Sequence, residues 1–449
     1  MKKNDRGREK ADRVKDDKEL DAYCAAYMDF LAKGKTERTC YAEAVRLLEA
    51  CGFKSLDTVT TFKPGDRIYR GYHGKTLFAA VAGKAPVAEG IRVVGGHTDA
   101  PRLDLKPHAL YEKDGITYFD THMYGGIKKY QWLAMPLALY GTVVKKDGTR
   151  VDIAIGDKPG DPIFMISDIL PHFGKDQLDK PTRDAVAAED MDVIAGLGPI
   201  DERLKKAYGL EKDDLLSAEL EIVPAGAPRE VGLDRAFIAA YGHDDRVCAY
   251  AGLSALLDLA QAKKAPNKTC AVVICDKEEI GSVGATGMES SFFENTVAEL
   301  LDRQEKNARD IDVRRALERS SMLSADVCAA SDPHFPDADS VGNAAKMGKG
   351  PAAIKYTGAA AKSGASDARA EFVADIRRIM DGAKVDWQIG ELGRAEKGGG
   401  GTIAKCMARF GMDVLDFGTP LFSMHAPWEL ASRHDCLHTK KAYAAYFAD

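Results

Sequence analysis

Residues 269–281 set the terms for the rest of the chain. Thr-Cys-Ala-Val-Val-Ile-Cys is followed at once by Asp276, Lys277, Glu278, Glu279, Ile280 and Gly281. A short apolar run rich in β-branched residues reads as a buried parallel strand. Such strands belong to α/β folds, where helices cover the sheet and chemistry sits beyond the carboxyl ends of the strands. Two adjacent carboxylates at such an end are costly to desolvate unless something positive holds them. A divalent metal meets that need, with one glutamate as a ligand and the other free as a base.

The whole chain narrows the class. Its 449 residues have room for two or three domains. No apolar stretch is long enough to cross a bilayer, so no membrane is expected as a partner. A net charge of −6 argues against general nucleic-acid binding. Nine cysteines without one Cys-x-x-Cys pair make neither a disulfide framework nor a zinc finger. Residues 2–19 are charged with both signs mixed, so no secretory signal is expected. The expected location is a reducing, cytoplasmic one.

Apolar periodicity supplies the elements. Helices are expected over 20–31 and 41–51, the second entered through Thr36-Glu-Arg-Thr39. Strands are expected over 77–81 and 91–94, the latter stopping at Gly95-Gly96-His97-Thr98-Asp99. From 106 to 233 the pattern turns to short strands at 116–119, 137–144, 151–155 and 220–223, with hairpin signals at Lys113-Asp114-Gly115 and Lys146-Asp147-Gly148. The α/β pattern resumes with a strand at 236–241, ending at Gly242-His243-Asp244-Asp245, and a long apolar helix over 247–262. A single charged helix is expected over 296–319, a strand carrying Asp326 over 322–327, a helix over 365–380 and strands over 385–389 and 414–417. A short helix over 403–409 and a last one over 434–445 complete the pattern. The reading is a β-rich domain, 106–233, inserted into an α/β domain formed by 1–105 and 234–449.

Five strand ends then carry metal-suited side chains: His97 with Asp99, Asp244 with Asp245, Glu278 with Glu279, Asp326, and His425. Each alone reads as a cap, a turn former or a satisfied polar residue. Their recurrence, expected along one edge of one sheet, points to a metal centre. Imidazole with carboxylate suits zinc, with manganese or cobalt as substitutes. The count fits two ions: Asp244 as bridge, His97 and Asp326 on one, Glu279 and His425 on the other. Glu278 is left to deprotonate a bridging water and then protonate a leaving amine. Asp99 suits the role of orienting the His97 imidazole, and Asp245 that of steadying the turn after the bridge.

These residues carry a resemblance. Gly-Gly-His97-Thr-Asp99-Ala-Pro, His-Asp244-Asp245, Asp-Lys-Glu278-Glu279-Ile-Gly-Ser, Ser-Ala-Asp326 and Phe-Ser-Met-His425-Ala-Pro resemble the metal-site motifs of the aspartyl aminopeptidase and vacuolar aminopeptidase I family. The resemblance spans about residue 20 to the end, and Tyr124-Gly-Gly, Gly390-Glu-Leu-Gly393 and 398–401 lie closer to the aminopeptidase I branch. It implies a di-zinc exopeptidase with a mixed sheet between helices, interrupted by a β-rich dimerisation domain. It also implies peptide substrates, cleaved at the amino terminus by a metal-bridging hydroxide with Glu278 as general base, and a homododecamer built from dimers. In the aspartyl branch a histidine of the dimerisation domain reaches a neighbouring active site; His172 and His122 are the candidates here. Lys355 resembles a position near the substrate pocket.

Other signals point elsewhere less well. Glycines 398–401 lack the Gly-Lys-Ser/Thr of a phosphate cradle. Cys270 and Cys275 are expected to be buried, inert thiols. His243, His434 and His438 find no place in the centre. The alternatives are a related metal-dependent carboxypeptidase or deacylase on the same scaffold, or a non-catalytic assembly protein.

Overall fold

The structure, a computed structural model, describes residues 2–262, 264–338, 342–356, 362–392 and 400–449, with side chains from residue 17 onward. Among the described residues the fold is mixed α/β with three sheets. The largest has nine strands. Its centre is four neighbouring parallel strands: Cys270–Cys275, Arg92–His97, Ser321–Ser324 and Asp413–Gly418. Thr76–Val81 and Ala352–Ile354 flank them antiparallel.

The opening run behaves as its composition demands. All six residues of Cys270–Cys275 are buried, and successive side chains serve opposite faces. Val272 and Ile274 join a core with Tyr27, Val247 and Tyr443, from the helices Lys2–Lys33, His243–Gln261 and Arg433–Ala448. Ala271 and Val273 join a second core with Phe293, Leu300 and Met407, from Phe292–Gln304 and Ala404–Ala408. Full burial of one such valine or isoleucine contributes about 1.5–3 kcal/mol. A strand packed on both faces cannot alternate in hydrophobicity, hence the continuous run.

A six-stranded antiparallel sheet runs in the order Arg150–Ile155, Leu137–Val144, Ala218–Pro224, Arg102–Lys113, Ile116–Tyr124, Val193–Leu197. It has its own core, including Leu103, Phe119, Trp132, Leu139 and Ile222. The strand Arg102–Lys113 was not expected. It carries charges and Pro107, which its register shift between Leu105 and Leu110 accommodates. A third sheet of five strands contains Phe237–Ala240, Glu429–Ser432, Pro420–Phe422 and Cys328–Ala329.

Several expected elements need correction. The single helix over 296–319 is two, Phe292–Gln304 and Asp310–Glu318. Asn307 between them adopts φ +72, a left-handed conformation that asparagine tolerates, and the Arg309 N–H bonds Asp312 Oδ2 to start the second helix. The helix over 365–380 starts only at Ala370, after Asp367 at φ +45. Asp326 lies beyond its strand, which ends at Ser324. By contrast, Thr36 caps Glu37–Ala50 in a reciprocal box with Thr39.

Candidate metal centre

The five strand ends do not share one sheet, as the sequence reading supposed. His97, Glu278, Glu279 and Asp326 stand at or beyond the carboxyl ends of three adjacent strands in the nine-stranded sheet. Asp244 follows Phe237–Ala240, and His425 lies between Pro420–Phe422 and Glu429–Ser432, all in the five-stranded sheet. The centre forms where these two sheets meet. Close approach requires Gly96: a Cβ there would lie 2.5 Å from Asp245 Oδ2 and 2.8 Å from the Ala325 carbonyl. That same Asp245 oxygen accepts the His97 N–H at 3.2 Å, tying strand to helix.

Two trios result. Ligand atoms of His97, Asp244 and Asp326 lie within 4.8 Å of one another, as do those of Asp244, Glu279 and His425. Asp244 belongs to both and divides its oxygens between them. Its Oδ1 is 3.3 Å from His97 Nε2 and its Oδ2 is 3.2 Å from His425 Nε2. His425 Nε2 is also 3.4 Å from Glu279 Oε2. Glu278 Oε2 lies 3.9 Å from His97 Nε2, beside the first trio. The Asp244–Asp245 peptide is cis.

The electrostatics are those of an acidic site. Burial, then repulsion by Asp244, raises the Glu279 pKa well above the ordinary carboxylate value. Burial, then Glu278, does the same for Asp326. Burial pushes Glu278 up to about 7, against the pull of His97. Asp244 Oδ1 and Glu279 Oε1 are buried without a hydrogen-bond partner. Buried anionic oxygens in this state call for positive charge. Two histidines and several carboxylates on two trios fit a pair of zinc-like ions in donor chemistry.

Asp99 works behind the trios. Fully buried, it accepts the Glu278 N–H at Oδ1 (3.1 Å) and the Glu279 N–H at Oδ2 (3.2 Å). The Tyr124 hydroxyl donates to the same Oδ2 at 2.8 Å. His97 Nδ1 lies 3.1 Å from the Asp99 carbonyl and 3.3 Å from its Oδ1. Against the cost of burial, the His97 and Tyr124 contacts hold the Asp99 carboxyl below its usual value. One carboxylate thus steadies a histidine and both glutamate backbones.

Sequence reasoning missed Glu429 and gave Tyr124 no role. Glu429 accepts the His425 N–H at 2.6 Å and the Asp244 N–H at 3.0 Å, holding the third sheet's two contributions together. His425 has φ +65, a rarely occupied conformation for a residue other than glycine. A lone glutamate among Ala-Pro-Trp and Leu-Ala was the available signal. Beside His425 opens a cavity of about 640 Å³, lined by Tyr130, Phe335, Phe422 and Met424 with Lys128 and Asp332.

The remaining candidates fall outside the trios. His122 and His172 are exposed; His122 Nδ1 bonds the Met123 carbonyl. Lys355 is exposed and lines a separate cleft with Arg377, Trp387 and Ile389. Gly393 and glycines 398 and 399 lie outside the described residues. His243 bonds the Tyr27 hydroxyl at 2.7 Å, and burial lowers its pKa to about 4. Asp386, His434 and His438 form a third trio. There, however, His438 Nδ1 accepts the Asp386 N–H at 3.0 Å, which puts the ring proton on Nε2 and takes both nitrogens out of ligation. Cys270 and Cys275 are fully buried, and burial raises both thiol pKa values.

Comparison with known proteins adds the family. Residues 30–447 match the model of the family described as aminopeptidase I zinc metalloprotease (M18). A probable M18 family aminopeptidase 1 of Clostridium acetobutylicum is 43% identical, the alignment covering 96% of both chains. The crystal structure of an M18-family aminopeptidase from Thermotoga maritima matches with a TM-score of 0.92 at 41% identity, covering 96% of both chains. The S. cerevisiae mApe1 dodecamer shares the fold, with a TM-score of 0.79 at 21% identity over 96% of this chain and 97% of that one.

Proposed function

The chain belongs to the M18 family of aminopeptidase I zinc metalloproteases, and from that premise we propose that this metallo-aminopeptidase works through a two-zinc centre with Glu278 as its general base. The observation that carries the reading is the sharing of Asp244 between two trios, one oxygen facing each. His97 and Asp326 would complete one ion's ligands, and Glu279 and His425 the other's. Manganese or cobalt would suit the same donors. The ions, when bound, supply Lewis acidity toward the scissile carbonyl and lower the pKa of water.

The chain's own residues do the rest. Glu278 stands beside the first trio, its Oε2 3.9 Å from His97 Nε2 and its backbone N–H held by Asp99. From there it takes the proton of the attacking water and passes it to the departing amine. Asp99 keeps the His97 ring and both glutamates in register. Peptide amino termini enter through the cavity beside His425.

The wider proposal follows the same premise. The division at 1–105, 106–233 and 234–449 separates a catalytic unit from an inserted association unit, and chains assemble through dimers into a dodecamer, as the fold shared with mApe1 supports. A cytoplasmic location accords with nine free cysteines. Among the described residues, no helix is long and apolar enough to cross a membrane.

Glu278→Gln tests the base assignment. The amide keeps the shape and loses the basicity, so turnover of a free-amino dipeptide should fall by about 10²–10⁴ with zinc content unchanged. Full activity in that variant would refute the role. Cleavage that survives blocking of the substrate's amino group would refute the exopeptidase reading.

A further inference from the structure

Resting on the metal-centre reading above, we propose that the turn at residues 124–126, contributed by the six-stranded sheet, positions both histidines of the centre. The turn follows the strand Ile116–Tyr124 and makes two contacts, one to each half of the site. On one side the Tyr124 hydroxyl donates to Asp99 Oδ2 at 2.8 Å, and Asp99 holds His97 Nδ1 through its carbonyl at 3.1 Å. On the other side His425 Nδ1 donates to the Gly126 carbonyl at 3.0 Å. An Nδ1 that donates to a carbonyl holds its proton there, so Nε2 is the nitrogen each imidazole can offer to a metal. Those two Nε2 atoms face Asp244 at 3.3 and 3.2 Å. Outer partners of this kind set the tautomer and orientation of ligating histidines.

The turn is itself braced. Tyr124 is buried, with the Arg102 guanidinium 3.8 Å from its ring centroid. Arg102 is in turn fixed by Asp104 at 2.8 Å and by Glu37 and Glu221 at 3.3 Å. Lys75 reaches the same Glu37 at 2.9 Å. Gly125 sits at φ +72, and a Cβ there would press on Pro101 at 3.3 Å, so the turn is backed against the preceding chain. The six-stranded sheet thus supplies positioning groups to a centre whose proposed ligands all come from the other two sheets.

Tyr124→Phe keeps the ring beside Arg102 and removes only the hydroxyl. Four quantities are measured: zinc affinity by competition with a chelator, kcat and KM for a free-amino dipeptide at saturating zinc, and the melting temperature of the zinc-free chain. Zinc affinity and kcat should each fall about tenfold, as for other partners of metal ligands, while KM stays close to wild type; the zinc-free chain should melt lower only by the loss of the one bond to Asp99. Because the hydroxyl acts through Asp99, adding Tyr124→Phe to Asp99→Asn should change neither quantity further. Unchanged zinc affinity and kcat, an additive effect with Asp99→Asn, or a variant that does not fold would each overturn the positioning role. A wild-type chain that binds no zinc and cleaves nothing would overturn the metal-centre reading as well; a loaded, active wild type beside an indifferent Tyr124→Phe would overturn the positioning role alone.

Discussion

Asp99→Asn puts the geometry of the centre under the sharpest strain. The carboxylate offers two oxygens: Oδ1 accepts the Glu278 N–H and lies 3.3 Å from His97 Nδ1, and Oδ2 accepts the Glu279 N–H and the Tyr124 hydroxyl. Asparagine has one acceptor oxygen. Whichever way its amide turns, its NH₂ faces a backbone N–H of one glutamate. At least one backbone hydrogen bond to a charged acceptor is lost, about 1.5–3 kcal/mol, and a buried N–H donor is left facing another donor. The cost divides between the metal and the fold. Zinc affinity should fall by about 10–100-fold, or roughly 1.4–2.7 kcal/mol. The zinc-free chain should lose about 1–3 kcal/mol, the penalty of an unsatisfied buried group. Chelator competition measures the first and thermal unfolding of zinc-free protein the second. An Asp99→Asn variant that binds zinc as the wild type does, with unaltered turnover, would refute the view that this carboxylate sets the positions of His97, Glu278 and Glu279.

Two further outcomes bear on the frame around the centre. Gly96→Ala should destabilise the chain by about 1–3 kcal/mol and weaken zinc binding, because its Cβ would drive into Asp245 Oδ2 and the Ala325 carbonyl; a melting temperature equal to wild type would show that the two elements need not approach so closely. Glu37 is buried between Lys75 and Arg102; burial alone would raise its pKa, but the two cations prevail and hold it below the ordinary value. A depressed folded pKa contributes stability that is complete above the unfolded value of about 4.3 and is lost as pH falls through the folded one. Glu37→Gln should therefore melt lower than wild type at neutral pH and lose less between about pH 5 and 3, and parallel acid declines would refute the assignment.

Much of this architecture is legible in residue order, and the illegible part has physical causes. The strand Cys270–Cys275 shows itself because burial on both faces demands an unbroken apolar run. The acidic and imidazole groups stand out by their recurrence at five strand ends, since any one of them alone reads as a cap or turn former. That Asp244 and His425 come from a second sheet does not show. Its strands are two to four residues long, and Phe237 pairs with Ser432, far along the chain. Such short strands carry no period, and their pairing is decided by tertiary packing. Glu429 stayed hidden because its partner Asp244 lies 185 residues away. Tyr124 stayed hidden because an aromatic at the end of an alternating strand reads as sheet packing. The break at Asn307 was masked by charges that keep helical spacing on both sides.

The central claim is that Asp244 joins two metal positions into one working centre. Metal analysis of the active, zinc-replete enzyme, with bound zinc counted per chain as activity is titrated, tests it most directly. Two zinc ions per chain at full activity, falling to one or none with loss of turnover in Asp244→Asn, is the result expected. Full activity with one ion per chain, or an Asp244→Asn variant that keeps both ions and its turnover, would contradict it.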